Sequence, residues 1–158
     1  MNNNTAVLHK EDLLNHWQGH RALVRRVIEK FSEHALLNFT TGNMRSFAEM
    51  VQEMLAVAVP GLDAIANNKA LVFDQGEKFT SKAEVLKAWD EATPIITELF
   101  MQIPAERFSE KYNLFGQYDY PIIDNILYFI DNEVHHRAQG YVYLRALGIE
   151  PPFFWERD

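Results

Sequence analysis

Residues 121–148 read PIIDNILYFIDNEVHHRAQGYVYLRALG, the longest stretch of the chain with a helical repeat. Its first half carries apolar side chains at three- and four-residue steps: Ile122, Ile126 and Phe129. This is the spacing of one helical face. Pro121 suits the first turn of a helix, because its missing amide donor would have no partner there, and Gly148 supplies a stop signal. The stretch predicts a long helix over residues 121–147.

Three earlier segments have the same kind of repeat. The first covers residues 10–31, and the second runs from about residue 44 into the low sixties. The third follows Ser81, which forms a capping-box pattern with Glu84, and it is closed by Pro104. Helices of about 20 to 27 residues measure roughly 30 to 40 Å, so four of them match closely enough in length to pack side by side.

The connections between these segments complete the predicted fold. Pro60 and Gly61 are expected to kink or end the second helix, and Pro94 is expected to bend the third. Residues 63–80 are polar and weakly periodic, which predicts a long crossover, and residues 111–120 are predicted to form a loop. The sequence therefore predicts an all-α fold, a four-helix bundle with a long crossover connection.

Composition narrows the classes of function. The chain is 47% apolar and 13% aromatic, which is enough for the core of one domain over residues 1–158. A formal charge of -7 with both signs interspersed argues against nucleic acid and anionic membranes as partners. The absence of cysteine excludes disulfides, a thiolate nucleophile and any cysteine-ligated zinc or iron–sulfur site. A polar start and no apolar run of about 20 residues favour a cytoplasmic protein.

The apolar stripe of the last helix turns polar at Glu133 and His136. Asn132 lies four residues before His136 and therefore shares a face with it. His20 lies on the stripe of the first helix, and the second helix carries Glu53. Such residues form a buried hydrogen-bond network, lie on the flank of the helix in water, or make a site that holds a cation between helices. Imidazole and carboxylate ligands suit Zn, Ni, Fe or Mn.

Two parts of the chain resemble the DinB-like family of metal-binding four-helix bundles. Residues 131–139 read DNEVHHRAQ and residues 143–152 read YLRALGIEPP, and both are similar to the last helix of that family and its exit. Residues 45–53 read RSFAEMVQE and are similar to its second helix. The resemblance covers essentially the whole chain in helix order and length, and it implies the same bundle.

The resemblance also implies a metal site. The family pattern has one histidine on the second helix and an HxxxH pair on the last, and these three side chains bind a divalent metal. Here Glu53 and Asn132 stand at two of the three positions, and His136 keeps the third. A carboxylate is a strong ligand but an amide is weak and neutral, so the metal affinity is expected to be lower. Glu133 and His20 are the candidate substitutes.

Two functions follow as hypotheses. In the first, a divalent ion on Glu53 and His136 activates a bound thiol or water, as the resemblance to thiol-dependent transferases implies, or the protein is a metal-dependent hydrolase. His135 is then a candidate acid or base and Arg137 a candidate anion clamp, and no organic cofactor is implied. In the second, the chain is a non-catalytic bundle with a degenerate metal site that binds a small-molecule ligand or a partner helix.

The end of the chain carries three consecutive aromatic residues, Phe153, Phe154 and Trp155. They follow the predicted stop of the last helix and cannot all face one core. They are expected to cap the open end of the bundle or to become buried against a second copy, which favours a homodimer.

Overall fold

The computed structural model describes residues 6–157. Within that range the chain forms five α-helices, a short 3-10 helix and one antiparallel hairpin. The elements are α1 (Lys10–Lys30), α2 (Glu33–Asn38), α3 (Phe47–Ala66), α4 (Lys82–Gln102), the 3-10 helix (Ala105–Ser109), β1 (Lys111–Leu114), β2 (Tyr118–Pro121) and α5 (Ile122–Ala146). The four long helices confirm the predicted all-α bundle. In the described residues no helix is both long and apolar enough to cross a membrane.

The four long helices pack in a square. Helices α4 and α5 each contact both α1 and α3, so α1 and α3 stand at opposite corners. Residues 67–81 make the predicted long connection, from α3 to α4, and contain no helix or strand. Helix α5 therefore has α1 on one side and α3 on the other, and this decides which partners its polar side chains meet.

The starts of α3 and α4 follow local capping chemistry. The Ser46 hydroxyl accepts a hydrogen bond from the amide of Glu49 at 3.3 Å, and the Glu49 carboxylate accepts one from the amide of Ser46 at 3.0 Å. Ser81 caps α4 by accepting a hydrogen bond from the amide of Glu84 at 3.2 Å. Glu84 in turn accepts a hydrogen bond from the amide of Thr80 at 2.8 Å. The return bond of the predicted box is therefore shifted by one residue.

Helix α3 starts and ends a few residues later than the sequence predicts. It continues through Pro60 and ends at Ala66, although proline removes one amide donor from the helix. Beyond Pro60, the side chains of Leu62 and Ile65 are fully buried. Burial of such a side chain stabilises by about 2 kcal/mol, so two of them outweigh one lost hydrogen bond. Helix α4 likewise continues through Pro94.

Residues 111–120, predicted as a loop, form the hairpin of β1 and β2. Lys111 pairs with Pro121, and the turn contains Gly116 at a positive φ of 69°. Leu114 at the end of β1 is fully buried, so the hairpin is anchored to the core. The strands are too short for a period-two pattern to be recognised in the sequence.

The core consists of two apolar clusters separated by a polar layer. Along α5, one cluster ends at Ile130 and the other begins at Tyr141. Residues 132, 133, 136 and 137 of α5 lie in this interval and are all polar and buried. The predicted change from an apolar to a polar stripe on this helix is therefore confirmed as a buried layer in the middle of the bundle.

The residues after α5 fold back beside α1 and α5. A guanidinium nitrogen of Arg26 on α1 donates a hydrogen bond to the carbonyl of Glu156. The aromatic residues 153–155 line a groove along α5 and are 50% to 62% exposed. One of the two expectations from the sequence was that they cap an end of the bundle. They do not, because the tail runs along the side of the bundle. Their burial against a second copy stays a prediction.

Candidate functional site

Glu53 of α3 and His136 of α5 meet at the interface of these two helices. His136 Nε2 lies 3.1 Å from Glu53 Oε1, and His136 Nδ1 lies 2.7 Å from Oε1 of Gln139. Because Gln139 presents an oxygen, Nδ1 is the nitrogen that donates. Nε2 then faces the carboxylate in one of two ways. It carries a second proton and donates it to the carboxylate, or it carries a lone pair that binds a cation lying between the two side chains.

Arg45 holds the other side of the Glu53 carboxylate. Arg45 Nη1 lies 2.5 Å from Glu53 Oε2, and this arginine is partly exposed. Partial burial opposes ionisation of Glu53, but the hydrogen bonds from His136 and Arg45 outweigh it and lower the pKa of Glu53 below its usual value. Glu53 is therefore an ionised carboxylate at neutral pH.

Asn132 lies one helical turn before His136. Its side chain is buried, and its Nδ2 has no hydrogen-bond partner among the described residues. Burying an N–H group without a partner is costly, so Nδ2 is available to donate to a ligand, whereas a metal would be bound by the amide oxygen, Oδ1. Of the three residues that the resemblance assigns to the metal site, the structure joins Glu53 and His136 directly. Asn132 is the third, on the helical face of His136.

Two glycines let α3 and α5 approach closely on either side of this pair. A Cβ on Gly61 of α3 would lie 2.5 Å from Cζ of Phe129 on α5. A Cβ on Gly140 of α5 would lie 2.5 Å from Cε2 of Phe47 on α3. Both rings are fully buried and fill the space that a side chain would need. The short separation of the helices is what brings the carboxylate of Glu53 to the ring of His136.

Glu133, a candidate substitute ligand, faces α1 instead. It is fully buried, it pairs with Arg21, and its Oε2 accepts a hydrogen bond from Trp17 Nε1 at 2.9 Å. Burial raises the pKa of Glu133, while Arg21 and Trp17 oppose that shift. The Arg21 guanidinium stacks on Trp89 with its Cζ 3.9 Å from the ring centroid. Glu133 thus belongs to a structural network on the α1 side, and it is not brought to Glu53.

His20, the other candidate substitute, also lies on the α1 side of α5. Its Nδ1 accepts a hydrogen bond from Arg137 Nη1 at 2.8 Å, and its Nε2 lies 3.1 Å from both His16 Nε2 and Arg157 Nη1. Burial, followed by the charges of Arg137, His16 and Arg157, lowers the pKa of His20 to about 4. His20 is therefore neutral at pH 7, and the structure does not bring it to Glu53 and His136.

The two candidate catalytic residues point in different directions. His135 is exposed, and its ring centroid is 5.0 Å from that of His136. Arg137 is buried against His20 of α1, on the side of α5 away from Glu53. Among the described residues, no group of three His, Asp or Glu side chains is close enough together to hold a metal ion. The structure therefore offers two strong ligands and one amide.

Sequence reasoning missed two of the partners. Arg21 is four residues after Trp17 and thus on the buried stripe of α1, a signal that the sequence does contain. Arg45 lies before the start of α3, and its contact with Glu53 depends on how the chain enters the helix. No periodic pattern predicts such a contact.

The model of the DinB family matches residues 1–157 of the chain. The chain belongs to the DinB family. A crystal structure of a DinB-like protein from Bacillus cereus is similar, with a TM-score of 0.74 and 15% identity, over 90% of this chain and 95% of that one. A second, from Bacillus subtilis, has a TM-score of 0.71 and 21% identity over 92% of this chain and 99% of that one. No curated protein matches the chain.

These comparisons establish the DinB fold over nearly the whole chain. At 15% and 21% identity the two structures show the fold alone. The function of this DinB-family chain therefore depends on its own side chains, in particular on Glu53 and His136.

Proposed function

We propose that this DinB-family bundle binds a divalent metal ion through Glu53 of α3 and His136 of α5. The supporting observation is the contact of His136 Nδ1 with Gln139 Oε1 at 2.7 Å, which leaves Nε2 facing the Glu53 carboxylate. Metal-binding histidines almost always donate their second ring N–H to a fixed acceptor, which orients the ring and raises its basicity. Gln139 occupies that position here.

The donor set fits a weakly held ion. A separation of 3.1 Å between His136 Nε2 and Glu53 Oε1 suits two neighbouring ligands with bonds of about 2.0 to 2.2 Å. Asn132 supplies a neutral amide as the third ligand. The ion pair with Arg45 offsets part of the negative charge of Glu53. The affinity is therefore lower than that of three imidazoles. Nitrogen and oxygen ligands of this kind accept Zn, Ni, Fe or Mn, and no organic cofactor is proposed.

A divalent ion at this position would lower the pKa of a bound thiol or water and so supply a nucleophile at neutral pH. The reaction class that we propose is a thiol-dependent transfer or, failing that, a hydrolysis, and it rests on the family resemblance. In it Gln139 orients the ring of His136, and Arg45 fixes the carboxylate of Glu53. His135 is the nearest exposed acid or base, whereas Arg137 contacts α1 and takes no part in this site.

Metal content measured by mass spectrometry tests the proposal. The protein is purified without chelators and without a histidine tag, alongside the variants His136→Ala and Asn132→His. We expect the wild type to hold a divalent metal and His136→Ala to lose it. Asn132→His adds an imidazole on the same face and should tighten zinc binding by about tenfold or more, since an imidazole is a much stronger ligand than an amide.

The matched control is His34→Ala, because His34 is exposed and far from α5 in sequence. It should retain the metal of the wild type. The proposal would be contradicted by a wild type that is metal-free and takes up no Zn, Ni or Mn at micromolar concentration. A metal-free Asn132→His variant would strengthen that result.

A second candidate function is a non-catalytic bundle with a degenerate site. The observation that favours it is the ion pair between Arg45 and Glu53, since an arginine already supplies the positive charge that the carboxylate needs. His136 and Glu53 would then be a structural pair, and the protein would act by binding a ligand or a second copy of itself. An empty wild type with an intact fold is the result expected under this alternative.

A further inference from the structure

A cavity lies on another side of α5 and does not involve Glu53 or His136. We call it the tail groove. It has a volume of about 680 Å³ and is enclosed by α5 on one side and residues 148–155 on the other. On α5 it is lined by positions 134, 137, 138, 141, 142 and 145. At 3.6 residues per turn these positions lie away from 132, 136 and 139. Its volume is in the range of sites for small organic ligands.

The groove wall contains a buried positive charge without a counter-ion. Arg137 is 6% exposed, and within residues 6–157 no carboxylate lies within ion-pair distance of it. Its hydrogen bonds run from Nη1 alone, to Nδ1 of His20 at 2.8 Å and to the carbonyl of His20 at 3.5 Å. His20 is neutral, and Glu133, the carboxylate that acts on Arg137 from beyond ion-pair distance, is already paired with Arg21. A buried guanidinium in this state favours an anion.

One turn further along the same wall is an unpaired hydroxyl. Tyr141 is 8% exposed, and its Oη has no hydrogen-bond partner among the described residues. Arg145 follows one turn later, with its Cζ 5.8 Å from the centroid of the Tyr141 ring. Arg137, Tyr141 and Arg145 thus offer two cations and a donor in a row along the groove, and Glu150 at the rim is the acidic residue that lines it. Arg26 and Arg157 add positive charge close to Tyr141 and Arg137, so this wall favours an anion.

The opposite wall of the groove is aromatic. The rings of Phe153 and Trp155 stack with their centroids 4.8 Å apart, and Phe154 meets Trp155 edge-on at 5.3 Å. All three side chains are at least half exposed, so a ligand can cover them. Flat apolar groups bind well to such surfaces because they bury apolar area and stack.

We propose that the tail groove binds a small carboxylic acid with a flat apolar body. The carboxylate pairs with Arg137, the shielded hydroxyl of Tyr141 turns towards it as the ligand binds, and the apolar body lies against the rings of Phe153 and Trp155. A carboxylate with an apolar body uses both the cationic and the aromatic wall, whereas inorganic phosphate has no apolar surface for the rings of Phe153 and Trp155. This binding site is independent of the metal proposed at Glu53 and His136.

Calorimetric titration of the full-length protein with 3-phenylpropionate tests the proposal. We expect saturable binding with a dissociation constant of about 100 µM, a value ordinary for a ligand of this size. The uncharged 3-phenylpropanamide should bind at least about tenfold more weakly, since it lacks the charge that Arg137 recognises. In ¹⁵N-resolved spectra, the shifts on addition of 3-phenylpropionate should be centred on residues 134–157 and on their α1 contacts His20 and Arg26.

Two variants and one control locate the site. Arg137→Met should weaken binding about tenfold or more, and Trp155→Ala about fivefold, because they remove the cation and one ring. Arg25→Met, which removes an exposed arginine of α1, should bind as the wild type does. Trp155 is exposed, so Trp155→Ala keeps the test decisive if Arg137→Met fails to fold.

Equal binding of the acid and the amide would overturn the proposal, and so would unchanged binding in Trp155→Ala. A third result would do the same: no saturable binding of 3-phenylpropionate, with a light-scattering mass of two chains that falls to one chain in Trp155→Ala. A second copy would then fill the groove.

Discussion

Glu133 places a carboxylate between the two apolar clusters, where it is tolerable only because Arg21 and Trp17 donate to it. Replacing Glu133 by alanine leaves Arg21 buried without a counter-ion, so we expect a loss of about 3 to 5 kcal/mol in the free energy of unfolding. Urea titration measures it. Glu91→Ala removes an exposed ion pair with Lys87 and should cost less than about 1 kcal/mol. Losses of equal size would contradict a structural role for the buried network.

His20 gives the stability of the protein a defined pH dependence. Its pKa is about 4 in the folded chain and about 6.5 when unfolded, so the unfolded state binds the additional proton. The stabilisation is complete above pH 6.5 and is lost as the pH falls towards 4. A tenfold change in proton affinity is equivalent to roughly 1.4 kcal/mol, so the full effect is on the order of a few kcal/mol. Unfolding free energies at pH 7 and pH 5 should differ less in His20→Gln than in the wild type, whereas His34→Gln should leave the difference unchanged.

For single residues, the sequence predicts which side chains are buried but not which residues they contact. Asn132, Glu133 and His136 all follow from the helical stripe of α5 as interior polar residues. Glu133 turns to α1 and His136 turns to α3, although three residues separate them. This division depends on which helix packs on each side of α5, and a single helical repeat does not contain that information.

At the scale of helices, the contact of α3 with α5 depends on glycine. Gly140→Ala introduces a methyl group 2.5 Å from the ring of Phe47, which also stacks on Phe31 at 5.1 Å. We expect a loss of about 1 to 3 kcal/mol in the free energy of unfolding, in spite of the better helix propensity of alanine. Thermal and urea unfolding give this value.

The double variant Gly140→Ala with Phe47→Leu separates overpacking from a change of the helix itself. A leucine removes the ring atoms that the new methyl group would touch. The two substitutions should therefore cost less together than the sum of their separate effects. A cost that is additive would show that the ring of Phe47 does not limit the approach of α5.

Element boundaries show where local sequence signals are overridden. Pro60 and Pro94 are helix breakers by local chemistry, yet α3 and α4 run through them, since the residues beyond are held by the core. The caps at Ser46 and Ser81 depend only on neighbouring residues, and the cap at Ser81 could be predicted from the sequence. The hairpin over residues 111–121 could not, because its stability comes from buried Leu114 and not from a pattern in its strands.

At the scale of the whole molecule, self-association is a use of the aromatic tail that competes with ligand binding in the tail groove, because both would cover residues 153–155. Residues 153–155 are at least half exposed and form one surface beside α5. Burial of such a surface between two copies would stabilise a dimer by the hydrophobic effect. Light scattering without added ligand should give a mass of two chains at high concentration, and either saturating 3-phenylpropionate or the variant Trp155→Glu should give a mass of one chain. A single-chain mass of the wild type at every concentration would contradict this prediction.

The packing of the whole molecule also explains why the family resemblance paired His136 with Glu53, whereas periodicity did not. Periodicity joined Glu133 with His136, which share a stripe of α5, whereas the resemblance joined His136 with Glu53 across two helices. The structure has the second contact. Contacts between helices that are distant in sequence depend on how the bundle packs. Proteins of the same fold share this packing, so a family pattern includes such contacts and a helical repeat does not.

The protonation of the His136 ring tests the proposed metal site most directly. Nitrogen-15 spectra of histidine-labelled protein, recorded with and without added Zn²⁺, report each ring nitrogen separately. With zinc, we predict that Nδ1 stays protonated towards Gln139 and that Nε2 shifts as a metal-bound nitrogen. Two protonated ring nitrogens that do not respond to excess Zn²⁺ would contradict the proposal and leave Glu53 and His136 as a structural ion pair.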